Sequence, residues 1–180
     1  KHTGRKFPDS PNEQLELAIE AVFESWMGER AVVYRRQNKV TRDIANGTAV
    51  NVVTMVFGNM GDDSATGVVF TRSGANGKKE LEGEYLINAQ GEDVVAGVRT
   101  GKNIEMLKKE MPQSYKELNN ACTKLENHFK EVQDMEFTVE QGKFYLLQTR
   151  NAKMAAQGYV KTSVDMVKEK LIDKNRSLLR

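Results

Sequence analysis

Two carboxylates, an amide and a guanidinium occur at alternate positions near the middle of the chain's second half. Asp134 and Glu136 are two residues apart, and so are Gln148 and Arg150. Residues two apart in a strand project from one face, so each pair presents its polar groups together. Carboxylate and amide oxygens suit Mg²⁺, which usually takes one or two carboxylates and leaves other positions to water and phosphate. Because a guanidinium binds phosphate through two hydrogen bonds, the four residues form a candidate site for a metal-bound phosphate.

The segment QDMEFTVEQGKFYLLQTR, which contains all four residues, predicts two strands joined by a tight turn. A loop over residues 140–142, with Gly142 left-handed and a bulge, puts Asp134 opposite Gln148. A two-residue loop would shift the register by one and move the amide to the other face from the acids. It would also force Gln141 to a positive φ. We therefore predict the three-residue loop.

A plainer interpretation explains the same spacing. An amphipathic hairpin whose solvent face carries charge would show the same alternation, and on spacing alone this interpretation is favoured. The residue types make the hairpin a candidate site and no more.

Composition limits the class of protein. A chain of 180 residues can form one domain of ordinary size, and 27 basic residues nearly balance 25 acidic ones, which argues against nucleic acid or a membrane surface as partner. No apolar run is long enough to span a bilayer, and the first residues contain no hydrophobic signal region. A single cysteine, Cys122, fits a reducing compartment. We predict a cytoplasmic or organellar location without secretion.

Apolar periodicity predicts helices alternating with strands. A helix should begin at Pro11 and carry Trp26 into the core, another should begin at Pro112, and a last one should cover 160–171. Tight turns between neighbouring strands favour an α+β fold with a largely antiparallel sheet and flanking helices. The predicted strands besides the hairpin are AVVYRRQN, TAVNVVTMVFG, VVFTR, KKELEGEYLI and VVAGVRT.

Other polar positions give weaker signals. The loop GNMGDDSATG has glycines that could approach a phosphate, but it has no lysine and matches no phosphate-binding fingerprint. The stretch NAQGED places Glu92 where a ligand or a turn would use it equally well. His128 and His2 receive no catalytic role, and Cys122 is predicted to pack on a helical apolar stripe.

Four long segments together resemble pyruvate, phosphate dikinase. They are QLELAIEAVFESW, GTAVNVVTMVFGNMGDDSATGVVFTR, GEYLINAQGEDVVAGVRT and LENHFKEVQDMEFTVEQGKFYLLQTRN, and the likeness runs in unbroken order from about Phe7 to Asn151. The chain is similar to the last subdomain of that family's N-terminal nucleotide-binding domain, which has an ATP-grasp fold. The resemblance implies an ATP-grasp subdomain over residues 1–152 and a helical linker over 153–180.

The resemblance also implies roles for individual residues. Mg²⁺ and the ATP phosphates would be held by Asp134, Glu136 and Gln148. Arg150 would contact phosphate as the catalytic residue of this segment. The remaining implied ATP-binding residues are those of the adenine strand, Val53, Thr54 and Met55, those of a loop covering the phosphates, Thr66 and Gly67, and Glu92.

The family's reaction implies partners beyond this segment. In the family, ATP phosphorylates a histidine on a swivelling domain, inorganic phosphate takes up another phosphoryl group, and pyruvate becomes phosphoenolpyruvate, with AMP and pyrophosphate as the other products. The first nucleotide-binding subdomain and the phosphohistidine domain are missing from this sequence. We therefore expect the segment alone to be inactive and the parent enzyme to be a homo-oligomer.

Local departures from the family keep two alternatives open. Val53 stands where glutamine is usual, Ala65 where glycine is usual, and residues 73–74 read Ser-Gly where Asn-Pro is common. One alternative is the nucleotide-binding part of a phosphoenolpyruvate synthase or antibiotic phosphotransferase, but these usually have proline where this chain has Asn151. The other is a non-catalytic scaffold that keeps the fold without binding nucleotide.

Overall fold

A computed structural model describes residues 6–95 and 99–180. The chain divides into two compact units, Lys1–Thr54 and Met55–Arg180. His2 lies outside the described residues, as does the middle of the predicted strand VVAGVRT. The start of that segment is helical rather than extended.

The first unit contains helix α1, Pro11–Ser25, and helix α2, Glu29–Gln37. The predicted start at Pro11 is confirmed. The strand predicted for AVVYRRQN is wrong, because those residues are helical, with an acid in the first turn of α2 and arginines in its last turn that complement the helix dipole. Trp26 is not a core residue either. It is half-buried, and the Arg35 guanidinium lies 3.9 Å from its ring centre.

The predicted strand TAVNVVTMVFG is also wrong. Residues 48–57 form neither helix nor strand, and Val53 and Met55 are 80% and 72% exposed. Within the ranges that the structure describes, no strand pairs with this segment. β-branched residues favour a strand because they pack on a pleated surface, and that preference has no effect without a neighbouring strand.

The second unit is built on an antiparallel five-stranded sheet, which confirms the predicted α+β class. The order across the sheet is β3-β2-β1-β4-β5. The long central pairs join β1 to β2 and to β4, and the hairpin partner β5 forms one edge. The strands are β1, Ala65–Phe70; β2, Glu82–Ile87; β3, Lys102–Asn103; β4, Gln133–Glu140; and β5, Lys143–Asn151.

Helix α5, Pro112–Phe129, covers one face of the sheet. Leu118 and Cys122 of one long helix pack against Met135 and Phe137 in the main core. Burial raises the pKa of the Cys122 thiol to about 12, in agreement with its predicted packing role. None of the helices in the described ranges has the length and apolar character needed to cross a bilayer. The helices of this unit are α3, Gly91–Val95; α4, Leu107–Glu110; α5, Pro112–Phe129; α6, Ala156–Lys168; and α7, Lys174–Leu179.

The C-terminal helices pack beside the start of β4 and the end of β5. Met166 of α6 is fully buried and lies in a second core with Val132 and Ala152. The Arg180 side chain, 6% exposed, forms an ion pair with Glu131. The predicted linker at 153–180 is therefore helical and packed, while its role as a connector to another domain stays a prediction.

A buried ion-pair triad joins α5, the end of β1 and the end of α6. The Arg72 side chain is completely buried and its guanidinium donates to both Glu126 and Glu169, with the closest contacts at 2.7 and 2.8 Å. Thr71 also donates to Glu126, at 2.8 Å. Exposed Lys79 pairs with Oε2 of Glu169, which Nη2 of Arg72 also contacts. These contacts satisfy a charge that would otherwise be costly to bury.

The triad predicts a specific acid sensitivity. Hydrogen bonds from Arg72, opposed in part by burial, lower the pKa of Glu169 from 4.5 to about 2. Because the folded-state pKa is depressed, ionised Glu169 stabilises the fold fully above pH 4.5, and this stability is lost as the pH falls through 2. Urea unfolding should show that the difference in unfolding free energy between wild type and Glu169→Gln narrows as the pH falls from 4.5 to about 2. A difference that stays constant with pH would contradict the assignment.

Candidate functional site

The hairpin turn differs from the predicted one. Glu140 pairs with Lys143, so the loop consists of Gln141 and Gly142 only, and the three-residue loop is wrong. Both loop residues have positive φ, 47° and 76°, as a type I′ turn requires. A left-handed glutamine costs roughly 1–2 kcal/mol. Hydrogen bonds from the turn to the glycine-rich loop before β1 offset this cost, because Ser64 accepts from the Gln141 N–H and the carbonyl of residue 63 accepts from the Gly142 N–H.

With a two-residue loop alone, Gln148 and Arg150 would lie on the opposite face from the two acids. A β-bulge brings them back to the same face. The register runs from Phe137 opposite Leu146 directly to Glu136 opposite Gln148, which leaves Leu147 as the extra residue. An extra residue on one strand of a pair shifts all later side chains to the other face. The predicted result therefore holds by a different route, and the acids and the amide share one face.

Two cross-strand contacts define the geometry of this face. The Arg150 guanidinium donates through Nε to Oδ2 of Asp134 at 2.8 Å, and its Nη2 lies 2.8 Å from the same oxygen. One step along the strands, Gln148 Nε2 lies 3.4 Å from Oε1 of Glu136. Asp134 therefore pairs with Arg150 and not with Gln148 as predicted. The hydrogen bond to Asp134 raises the pKa of Arg150, so this residue stays cationic.

The donor set fits a metal that shares its shell with a ligand. Within residues 6–95 and 99–180, no three His, Cys, Asp or Glu side chains cluster as a metal site. Mg²⁺ nevertheless usually takes one or two carboxylates and leaves its other positions to phosphate and water, and Asp134 and Glu136 supply that number. In the present geometry Arg150 occupies one oxygen of Asp134, so metal binding at that carboxylate must share it with the guanidinium.

A cavity of about 490 Å³ opens beside Glu136. It lies between the sheet face and α3, and it combines apolar walls with one carboxylate from each side. Clefts of this size and mixture suit small-molecule ligands. Its lining residues are Thr66, Gly67, Val68, Gly91, Glu92, Val94, Glu136 and Leu147.

Thr66 and Gly67 line the cavity from β1 and not from a loop. The strand begins at Ala65, three residues before the predicted start at Val68. The Thr66 hydroxyl donates to the Phe137 carbonyl at 3.2 Å and is 4% exposed. A Cβ at Gly67 would lie 2.7 Å from the Phe137 ring, so packing alone requires glycine there. The prediction that these two residues belong to a loop covering the phosphates is wrong about the element.

Of the other predicted ATP-binding residues, Glu92 is the one that lines the cavity. Glu92 lies in the first turn of α3, is exposed and lines the cavity. Val53 and Thr54 belong to the first unit, where both side chains are exposed. Met55 begins the second unit, is also exposed, and is not among the residues that line the cavity. The adenine-binding role of these three residues stays a prediction.

Sequence reasoning missed the apolar part of the cavity. Val68 follows from the alternation of β1 once the strand start is known. Val94 was assigned to a strand and lies on α3. Leu147 lines the cavity as the extra residue of the bulge, and no local pattern signals that bulge.

A family model described as "Pyruvate phosphate dikinase, AMP/ATP-binding domain" matches residues 9–116 and 111–171 of the chain. The chain belongs to the pyruvate phosphate dikinase family. The match covers both units and includes all four hairpin residues, so the resemblance inferred from the motifs is confirmed.

Curated relatives match the chain along nearly its whole length. Pyruvate, phosphate dikinase of Entamoeba histolytica is 56% identical over 180 residues, which cover 99% of this chain and 20% of that protein. The Clostridium symbiosum enzyme is 52% identical over 98% of the chain, and the chloroplastic enzyme 1 of Arabidopsis thaliana is 51% identical over 97%. The chain spans about a fifth of the length of these relatives.

Proposed function

We propose that this chain is the part of a pyruvate, phosphate dikinase that holds the phosphates of Mg-ATP. The parent enzyme uses ATP and inorganic phosphate to phosphorylate a histidine on a swivelling domain and then pyruvate, and it yields phosphoenolpyruvate, AMP and pyrophosphate. The observation that carries the proposal is the alignment of Glu136 with Gln148 and of Asp134 with Arg150 on one sheet face. A plain amphipathic hairpin requires charge on this face but not these pairings next to a cavity.

Each hairpin residue receives a role from its chemistry. Glu136 and Asp134 supply carboxylate oxygens to Mg²⁺, and the Gln148 amide oxygen is the third protein ligand. When bound, the metal neutralises phosphate oxygens and removes the repulsion between the two acids. Arg150 contacts a phosphate oxygen and stabilises the charge of the transferring group. The guanidinium exchanges part of its contact with Asp134 for this phosphate.

The cavity beside Glu136 supplies the remaining contacts. Thr66 and Gly67 bring the backbone of β1 to its wall, and Glu92 reaches it from α3. Val53, Thr54 and Met55 approach the base in the complete domain. Catalysis in this class depends mainly on positioning and charge neutralisation, so a rigid sheet is a suitable platform.

The complete reaction needs chain that this segment does not contain. We propose that ATP is enclosed together with an N-terminal nucleotide-binding subdomain, and that residues 153–180 lead toward the phosphohistidine domain. Some curated relatives are named chloroplastic and others are not. We propose a cytoplasmic or organellar location for the parent enzyme, which is consistent with both. The homo-oligomeric state of the parent stays a prediction.

A melt of the full-length protein tests the proposed function. Mg-ATP at 100 times its Kd should stabilise the nucleotide-binding domain by about 2.7 kcal/mol, because a ligand that binds only the folded state shifts the unfolding equilibrium. Calorimetry with Mg-ATP, and with ATP plus a chelator, measures this. The shift should be largest with the metal present. No shift in the full-length protein would favour the non-catalytic scaffold.

A further inference from the structure

A buried amide lies directly behind the polar pairs of the hairpin. Gln133 begins β4, one residue before Asp134, and is 1% exposed. Because neighbouring strand residues project from opposite faces, its side chain lies on the helix-covered face of the sheet. A buried amide is costly unless its donors and acceptor are satisfied, so its partners identify what holds it there.

The side-chain partners of the Gln133 amide come from the end of β5. Its Oε1 accepts from the Thr149 hydroxyl at 2.9 Å, and its Nε2 lies 3.0 Å from Oδ1 of Asn151. The same Nε2 group also reaches the backbone carbonyl of Val132. Thr149 and Asn151 are the two sequence neighbours of Arg150. The amide thus contacts both residues that flank the catalytic candidate, from the reverse side of the sheet.

These contacts exist only in the bulged register. Without Leu147 as an extra residue, the side chains of Gln148 and Arg150 would occupy the reverse face, and Thr149 would lie on the site face. Gln133 would then meet a guanidinium in place of a hydroxyl and an amide oxygen. The network therefore favours the one register in which all four site residues share a face.

The network is also fixed to the core. The backbone N–H of Gln133 donates to the Thr71 hydroxyl at 3.1 Å, and that hydroxyl donates to Glu126 of the buried triad. The start of β4 is consequently held from two directions, by the β5 side chains and by α5.

We propose that Gln133 is a positioning residue that fixes the bulged register of β4 and β5 through Thr149 and Asn151. The proposal rests on the proposed function, because the residues it positions are those assigned to Mg-ATP. It also gives a role to Asn151, which accepts the amide hydrogen bond.

The test uses two readouts on the full-length protein. In Gln133→Leu, hydrogen exchange of a peptide covering 143–151, measured without nucleotide, should become faster, while a peptide covering 112–129 should exchange as in wild type. The Kd for Mg-ATP should rise about tenfold or more, as is typical when partners that orient metal ligands are removed. Asn151→Ala should produce the same pattern in weaker form, and Asn151→Asp, which keeps the acceptor oxygen, should behave as wild type.

The outcomes separate positioning from general stability. Equal acceleration of exchange in both peptides, or faster exchange at 143–151 with an unchanged Kd, would overturn the proposal. If Gln133→Leu does not fold, Thr149→Val and Asn151→Ala carry the same comparison, since each removes one contact. If wild-type protein does not bind Mg-ATP, the proposed function fails, and the exchange comparison alone then decides whether Gln133 fixes the register.

Discussion

Replacing Glu136 by glutamine should raise the Kd for Mg-ATP in the full-length protein about 100-fold, equivalent to about 2.7 kcal/mol. The change removes one of two carboxylates from a metal that prefers charged oxygen ligands. It keeps the side-chain length and an oxygen that Gln148 can still contact. Titration calorimetry with Mg-ATP, and with ATP plus a chelator, would measure the loss. Metal-free ATP should be affected far less, because Arg150 remains.

A matched control lies on the same strand and the same face. Glu140→Gln makes the identical chemical change four residues away, where Oε1 accepts a hydrogen bond from the Phe57 backbone at 2.8 Å. The amide oxygen can keep that bond, so Mg-ATP affinity should stay within about twofold of wild type. Wild-type affinity in Glu136→Gln, or an equal loss in both variants, would contradict the metal-binding role of Glu136.

The composition of the site face could be predicted from the sequence, but the way it forms could not. Strand alternation and residue type placed the acids and the amide together. The turn was wrong because local rules penalise Gln141 at positive φ, whereas hydrogen bonds from the glycine-rich loop hold it there. The bulge at Leu147 depends on contacts across the sheet, such as those of Gln133, which no local pattern contains.

Secondary-structure propensity gave wrong predictions for segments whose structure depends on contacts with other parts of the chain. The residues AVVYRRQN contain β-formers and arginines in similar number, and the helix benefits from charges at its two ends. The apolar run around Val53 forms no strand, since within the described chain no neighbouring strand pairs with it. The β4–β5 hairpin was predicted more reliably, because a tight turn brings its two strands close in sequence.

One member of the buried triad leaves a signal in the sequence, because it places an acid on the apolar stripe of a helix. Glu126 follows Cys122 by four residues on α5 and therefore continues the apolar stripe that faces the core. An acid at a core position requires a buried partner, but the stripe does not identify it. That partner is Arg72, which is distant in sequence, and only the fold brings the two together.

Arg72→Met should destabilise the second unit by about 3–5 kcal/mol. The variant fills a similar volume but leaves Glu126, whose side chain is 9% exposed, without its cation, and Glu169 with only Lys79. Removing one member of a buried ion pair costs more than the pair itself contributes, because the remaining charge stays desolvated. Native-state hydrogen exchange of the peptide covering α5 in the full-length protein would report the loss.

Lys79→Met provides the matched control, since Lys79 pairs with the same Glu169 oxygen that Arg72 contacts. Its side chain is 64% exposed, and such pairs contribute roughly 0–1 kcal/mol because water screens them. The two variants therefore remove a buried cation and an exposed cation, respectively, from the same carboxylate. Adding Glu126→Gln to Arg72→Met should recover part of the loss, because it removes the orphaned charge and keeps an oxygen for Thr71. Equal effects of the two methionine variants, or no recovery in the double variant, would mean that desolvated charge is not what makes Arg72 essential.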